Sequence, residues 1–215
     1  DIGLLTGIFM FPGVLLAVPG GLLVARIGDK WALTSGLAIM LGSAVLFAVS
    51  DSYGLMLFSR LLAGSGAVLV TILLPKVVTD WFAGKEIATA MATIASSFGL
   101  GVGLAMAILP FIAELTSWSG AVVANAATIV LAIVFLLTTF GIRETDSGEG
   151  KKLPGLWQVN RREFILSVLA GIGYGLFATG YVVFMAFLPT LLIAQGMHAV
   201  EAGLTTSLAA AASLV

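Results

Sequence analysis

Arg60 is the side chain with the most chemistry to offer. It lies in Leu57-Phe58-Ser59-Arg60-Leu61-Leu62-Ala63-Gly64-Ser65-Gly66, inside an otherwise apolar run. A guanidinium held within a bilayer is costly unless it faces water or a partner. Its planar fork can grip a carboxylate-like or nitrate-like anion from two sides. The alternative is a cation bound to backbone carbonyls that braces neighbouring helices. Lys76, directly after Pro75, is a second cation. It reads either as a side chain snorkelling to the interface or as a charge at a cavity floor. Asn125, Tyr174 and Tyr181 complete the candidates. An amide in a span more often bridges helices than touches substrate, and a tyrosine puts a hydroxyl on an aromatic face, for cavity lining or for packing.

Nothing in the sequence forms a catalytic set. It contains no His-Glu-x-x-His, no Gly-x-Ser-x-Gly and no phosphate loop, and the single histidine, His198, has no partner of a catalytic type near it. Without cysteine there is no disulfide and no thiolate metal site. Neither an enzyme nor a cofactor or metal is expected, and no nucleic-acid partner.

These residues are set in a chain that is 60% hydrophobic and 10% charged, with mean hydropathy +1.13. Soluble domains run nearer 25% charged. Charge-free runs cover residues 2–25, 31–50, 61–75, 87–112, 115–142 and 164–200, and another begins at 202. The third reaches spanning length once extended back to Ser52 across Arg60. The expected architecture is all-α: a polytopic bundle with six complete spans and the start of a seventh, its partner the lipid bilayer. The first run has neither a basic region before it nor a small-residue cleavage site after it, so it is not a signal peptide. The absence of an initial methionine and the apolar final residues read as a fragment of a longer chain.

Charge placement orients the bundle. Arg26, Lys30, Lys76, Lys85, Arg143, Lys151, Lys152, Arg161 and Arg162 fall in the turns at 26–30, 76–86 and 143–162. The alternate turns hold only Asp51, Glu114, His198 and Glu201. The positive-inside rule then makes 143–163 cytoplasmic and the N-terminus extracytoplasmic, as in the inner (cell) membrane of a bacterium. Residues 143–163 are also the only polar linker, which divides an N-terminal helical half, 1–142, from the start of a C-terminal half, 164–215. A short internal likeness, Ile2-Gly3-Leu4-Leu5-Thr6 against Ala202-Gly203-Leu204-Thr205-Thr206, suggests that the halves are repeats.

The stretch Gly21-x-x-x-Ala25-Arg26-x-Gly28-Asp29-Lys30 resembles the loop signature between the second and third helices of major facilitator superfamily transporters, with Ala25 where that family has an aspartate. Arg60-x-x-x-Gly64-x-Gly66 resembles the family's fourth-helix signature, whose arginine has been linked to proton coupling. Trp81-Phe82 with the charges after it resembles the turn into the fifth helix. Gly99, Gly101 and Gly103 follow there as small residues suited to close helix packing. The antiporter signature of that helix, with its Gly-Pro pair, is absent.

The resemblance implies two six-helix halves, of which this chain would hold helices two to seven and part of the eighth, the first helix of the N-terminal half being missing. It also implies secondary transport of a small solute by alternating access, with a proton or counter-ion as the coupling species. Arg26 and Lys30 would help hold the inner gate, with Asp29 near enough to replace the missing aspartate. Intramembrane cations without intramembrane acids point to a small anion, in a style similar to bacterial nitrate, nitrite and cyanate carriers. The alternatives are export of a hydrophobic compound and a non-transporting helical sensor or assembly protein.

Overall fold

A computed structural model describes residues 2–82, 86–142 and 160–212, and all the regular structure among them is α-helical. The helices are α1 (Ile2–Ile27), α2 (Asp29–Ala48), α3 (Tyr53–Trp81), α4 (Ile87–Leu115), α5 (Trp118–Ile142), α6 (Arg161–Ala194) and α7 (Ala199–Ala212). Among the described residues, α2 to α6 are each long and apolar enough to cross a bilayer. α1, 26 residues long and free of charge before Arg26, has the length of another span. Large apolar side chains such as Phe98, Phe111, Leu131, Phe135, Leu169 and Phe177 point outward. Apolar surface on that scale is foreign to a soluble monomer and ordinary for a helix solvated by lipid. The chain is an all-α, multi-pass membrane protein.

The helix ends have local causes. Gly28 alone separates α1 from α2, at φ 85° and ψ 155°, a region open essentially to glycine. Ser52 caps α3 by accepting from the Leu55 N–H at 3.2 Å. The long apolar run at 164–200 does not stay helical to its end. It stops at Ala194, where Gly196 takes φ 96°, its N–H bonding to the Ile193 carbonyl, while the Met197 N–H bonds to that of Leu192. That pair of bonds is a Schellman cap, so α7 starts three residues before the expected 202. The basic turn expected at 76–86 is also shorter. α3 continues through Pro75 to Trp81, so Lys76 stands on a helix. Asp29 and Lys30 likewise belong to the first turn of α2 rather than to a loop.

α3 is the packing centre of the first half. A Cβ at Gly64 would stand 2.1 Å from the Phe9 carbonyl oxygen of α1, and one at Gly66 would stand 2.5 Å from the Gly36 oxygen of α2. Glycine at both positions lets three backbones meet, as membrane helices do where small residues face each other. Ala32, Leu33, Leu69, Leu73 and Val77 form the buried cluster between α2 and α3. α5 packs on α2 and α4, and α7 packs on α4 and α6. The α4–α7 contact therefore joins the segments on either side of the linker. Most of that linker, 143–159, lies outside the described residues.

Candidate functional site

Arg60 is in the second turn of α3, Phe47 in the last turn of α2, and Asn125 in the second turn of α5. All three are near the same end of the bundle, and they share one cavity of about 350 Å³. That lies within the ordinary size range of small-molecule sites. Phe9, Met40, Leu109 and Ile129 supply most of the remaining wall, so the lining is chiefly apolar with a cation and an amide in it. Ser43 and Ser59 also reach the cavity, but each donates its hydroxyl proton to its own helix, to the carbonyls of Met40 (2.8 Å) and Met56 (2.7 Å). Such back-bonding satisfies the donor without an outside partner.

The charge of Arg60 is held in an unusual way. Its Cζ lies 4.4 Å from the centroid of the Phe47 ring, and its Nε is buried without a hydrogen-bond partner. No acidic side chain forms an ion pair with it among the described residues. A ring face supplies roughly 0.5–2 kcal/mol to a cation, less than burial of an unpaired guanidinium takes away. Arg60 is thus short of an anionic or acceptor partner at a cavity wall. Trp118 meets the other participant, Phe47, edge-on at 5.7 Å. Sequence reading missed the roles of Phe47 and Trp118, because only the register of α2 against α3 brings Phe47 to Arg60, and that of α2 against α5 brings Trp118 to Phe47.

The other candidates lie elsewhere. Lys76 is at the opposite end of α3, ion-paired with Asp29 of α2 and 3.9 Å from Asp80. It is not part of the Arg60 cavity, and Asp29 turns toward α3. Tyr181 of α6 stacks with Phe177 and reaches Phe98 of α4, both at 6.3 Å between centroids, with its hydroxyl buried and unpartnered among the described residues. Tyr174, two turns earlier on α6, is exposed. Gly99 and Gly103 are buried on α4, Gly103 beside the Ser207 carbonyl of α7, whereas a Cβ at Gly101 or Gly21 would meet nothing within 4 Å. The side chain of Arg26 lies outside the described residues. His198, which looked unpartnered in sequence, is not: its Nδ1 is 3.1 Å from Glu114 Oε1, a pairing made by the approach of α4 and α7.

Membrane-length helices gathered around a cationic, mainly apolar cavity define a multi-pass membrane protein with a solute-sized site. The Major Facilitator Superfamily profile matches residues 1–215, and the chain belongs to that superfamily. It is similar to the quinolone resistance protein NorA of Staphylococcus aureus, 27% identical over 196 residues, which are 86% of this chain and 50% of NorA. It is also similar to the inner membrane transport protein YajR of Escherichia coli, 34% identical over 111 residues, 52% of this chain and 24% of YajR. The chain spans about half the length of NorA or less of the curated relatives it matches.

Proposed function

We propose that the whole protein is a secondary transporter working by alternating access, with residues 1–142 and 164–215 in two helical halves that rock about a central path. Superfamily membership supports the class, and the Arg60 cavity supports the solute. The observation that carries the substrate reading is a guanidinium with no acidic partner among the described residues, set in a wall of Phe, Met, Leu and Ile. A mostly apolar compound bearing one anionic or acceptor group fits that wall, its charge at Arg60 and Asn125 and its body against Phe9 and Met40. Export is the direction we assign, in keeping with the resistance named for NorA. A second reading, a small anion such as nitrate, nitrite or cyanate, is favoured by the same uncompensated cation. It needs more donors than the cavity offers, because the serine protons are engaged in their own helices. A proton or counter-ion couples the cycle in either case.

The protein acts in the inner membrane on this reading, with Ser52 extracytoplasmic and the 143–163 linker cytoplasmic. Single cysteines at Ser52 and Gly148, probed with an impermeant thiol reagent on intact cells, test the orientation. Labelling at Gly148 but not at Ser52 overturns it.

Flux of the full-length protein in proteoliposomes tests the substrate, using apolar carboxylates, neutral apolar compounds and the three small anions. Arg60→Ala abolishes flux of anionic compounds, and Arg60→Lys restores it in part because it keeps the charge but loses the fork. Flux confined to neutral or cationic compounds sinks the anionic reading. Loss of flux matched by loss of melting temperature assigns Arg60 to bracing.

A further inference from the structure

We propose that His198 and Glu114 form a proton-operated latch that closes α4 against α7 on the membrane face without lysine or arginine. Each partner is fixed to its own helix. Glu114 is in the last turn of α4. His198 immediately precedes α7, and its carbonyl accepts from the Ala202 N–H at 2.9 Å. The 3.1 Å contact between them therefore reports the separation of the two helices.

The packing beneath the latch is close. A Cβ at Gly203 would lie 2.5 Å from the Met106 carbonyl oxygen and 2.9 Å from the Pro110 ring, and Ala202, Thr206 and Ala210 are fully buried. An interface of small residues and backbone holds with little side-chain anchoring, so a charge pair at its rim can bias whether it opens.

The chemistry of this rim is lopsided. Glu201 follows in the first turn of α7, Asp51 is in the α2–α3 turn, and α6, also packed on α7, carries no charge from Phe164 to Ala194. Among the described residues in the turns on that face, His198 is thus the one able to become a cation, beside the carboxylates of Asp51, Glu114 and Glu201. Histidine as a residue type changes charge between about pH 5 and 8. Protonated, the imidazolium pairs with ionised Glu114 and offsets Glu201. Deprotonated, it leaves the carboxylates uncompensated and the contact no stronger than a neutral hydrogen bond. The latch closes as pH falls through the range in which a histidine gains its charge. Both side chains are well exposed, at 68% and 39%. A pair so exposed shifts an equilibrium by about twofold to fivefold.

The proposal rests on alternating access only in requiring α4 and α7 to part, and that separation is read without any substrate. Spin labels at Leu115→Cys of α4 and Ala199→Cys of α7, neither in the pair, are placed in full-length protein otherwise free of cysteine and reconstituted in nanodiscs, where both faces share one pH. Distances between them are measured from pH 5 to 9. The short-distance population rises about twofold to fivefold from pH 8.5 to 5.5. His198→Gln and Glu114→Gln each flatten that profile, the double variant adds nothing further, and His198→Lys holds the short population across the whole range. An unchanged profile in His198→Gln overturns the latch, as does a flat wild-type profile. Absent flux with an intact pH profile counts against the transport reading and not against this one.

Discussion

Gly64→Ala isolates the contact that shapes the cavity. The added methyl would stand 2.1 Å from the Phe9 carbonyl oxygen, a backbone atom that cannot turn aside, and 3.1 Å from the Pro12 ring. Carbon and oxygen approach no closer than about 3.3 Å even in favourable C–H···O contacts, so α1 has to retreat from α3 by about 1 Å. Overpacking of this kind costs about 1–3 kcal/mol. Phe9 also lines the cavity, and it moves with its own carbonyl. Gly101→Ala is the matched control, since its methyl meets nothing within 4 Å and alanine is the better helix former. Melting in detergent, followed by size-exclusion chromatography, should show Gly64→Ala well below wild type and Gly101→Ala at or slightly above it. Among proteoliposomes matched for folded protein, Gly64→Ala should also raise KM for the transported compound. Equal melting of the two alanine variants would refute the assignment of Gly64 to an α1–α3 backbone contact.

Gly28→Ala tests the turn between α1 and α2: there is room for the methyl, but φ 85° with ψ 155° excludes it, so a loss of about 1–3 kcal/mol in detergent melting is expected from conformation alone. A melting curve like that of wild type would show that the turn readily takes another conformation. Tyr181→Phe removes a buried hydroxyl that has no partner among the described residues. It should leave stability equal or improved by up to about 1 kcal/mol, and any fall in flux would then mark the hydroxyl as a substrate contact. Asp29→Asn breaks the ion pair with Lys76, but the pair is partly exposed, so stability should fall by less than about 1 kcal/mol. A larger fall would mean that the α2–α3 contact depends on it.

Charge-free runs of spanning length and the cations between them determined the membrane class, the helices and most of their ends. The bilayer forces such runs into helices whatever their neighbours are, so composition and order suffice. The glycine at position 28 and the Arg60-x-x-x-Gly64-x-Gly66 spacing were legible for the same reason, being local. The end of α6 was not, since apolarity continues through 164–200 and only the left-handed Gly196 stops the helix. Arg60 could be recognised in sequence as a buried cation, but not its setting. Phe47 is on another helix, Asn125 on a third, and their meeting depends on how far α2 slides along α3, which the small-residue contact between Gly36 and Gly66 sets, and on how far α5 slides along α2. His198 and Glu114 are a sharper case, since nothing in either local sequence names the other. Lipid-facing residues obey one rule and can be read singly, whereas contacts between helices depend on register and rotation, and those are properties of the packed bundle alone.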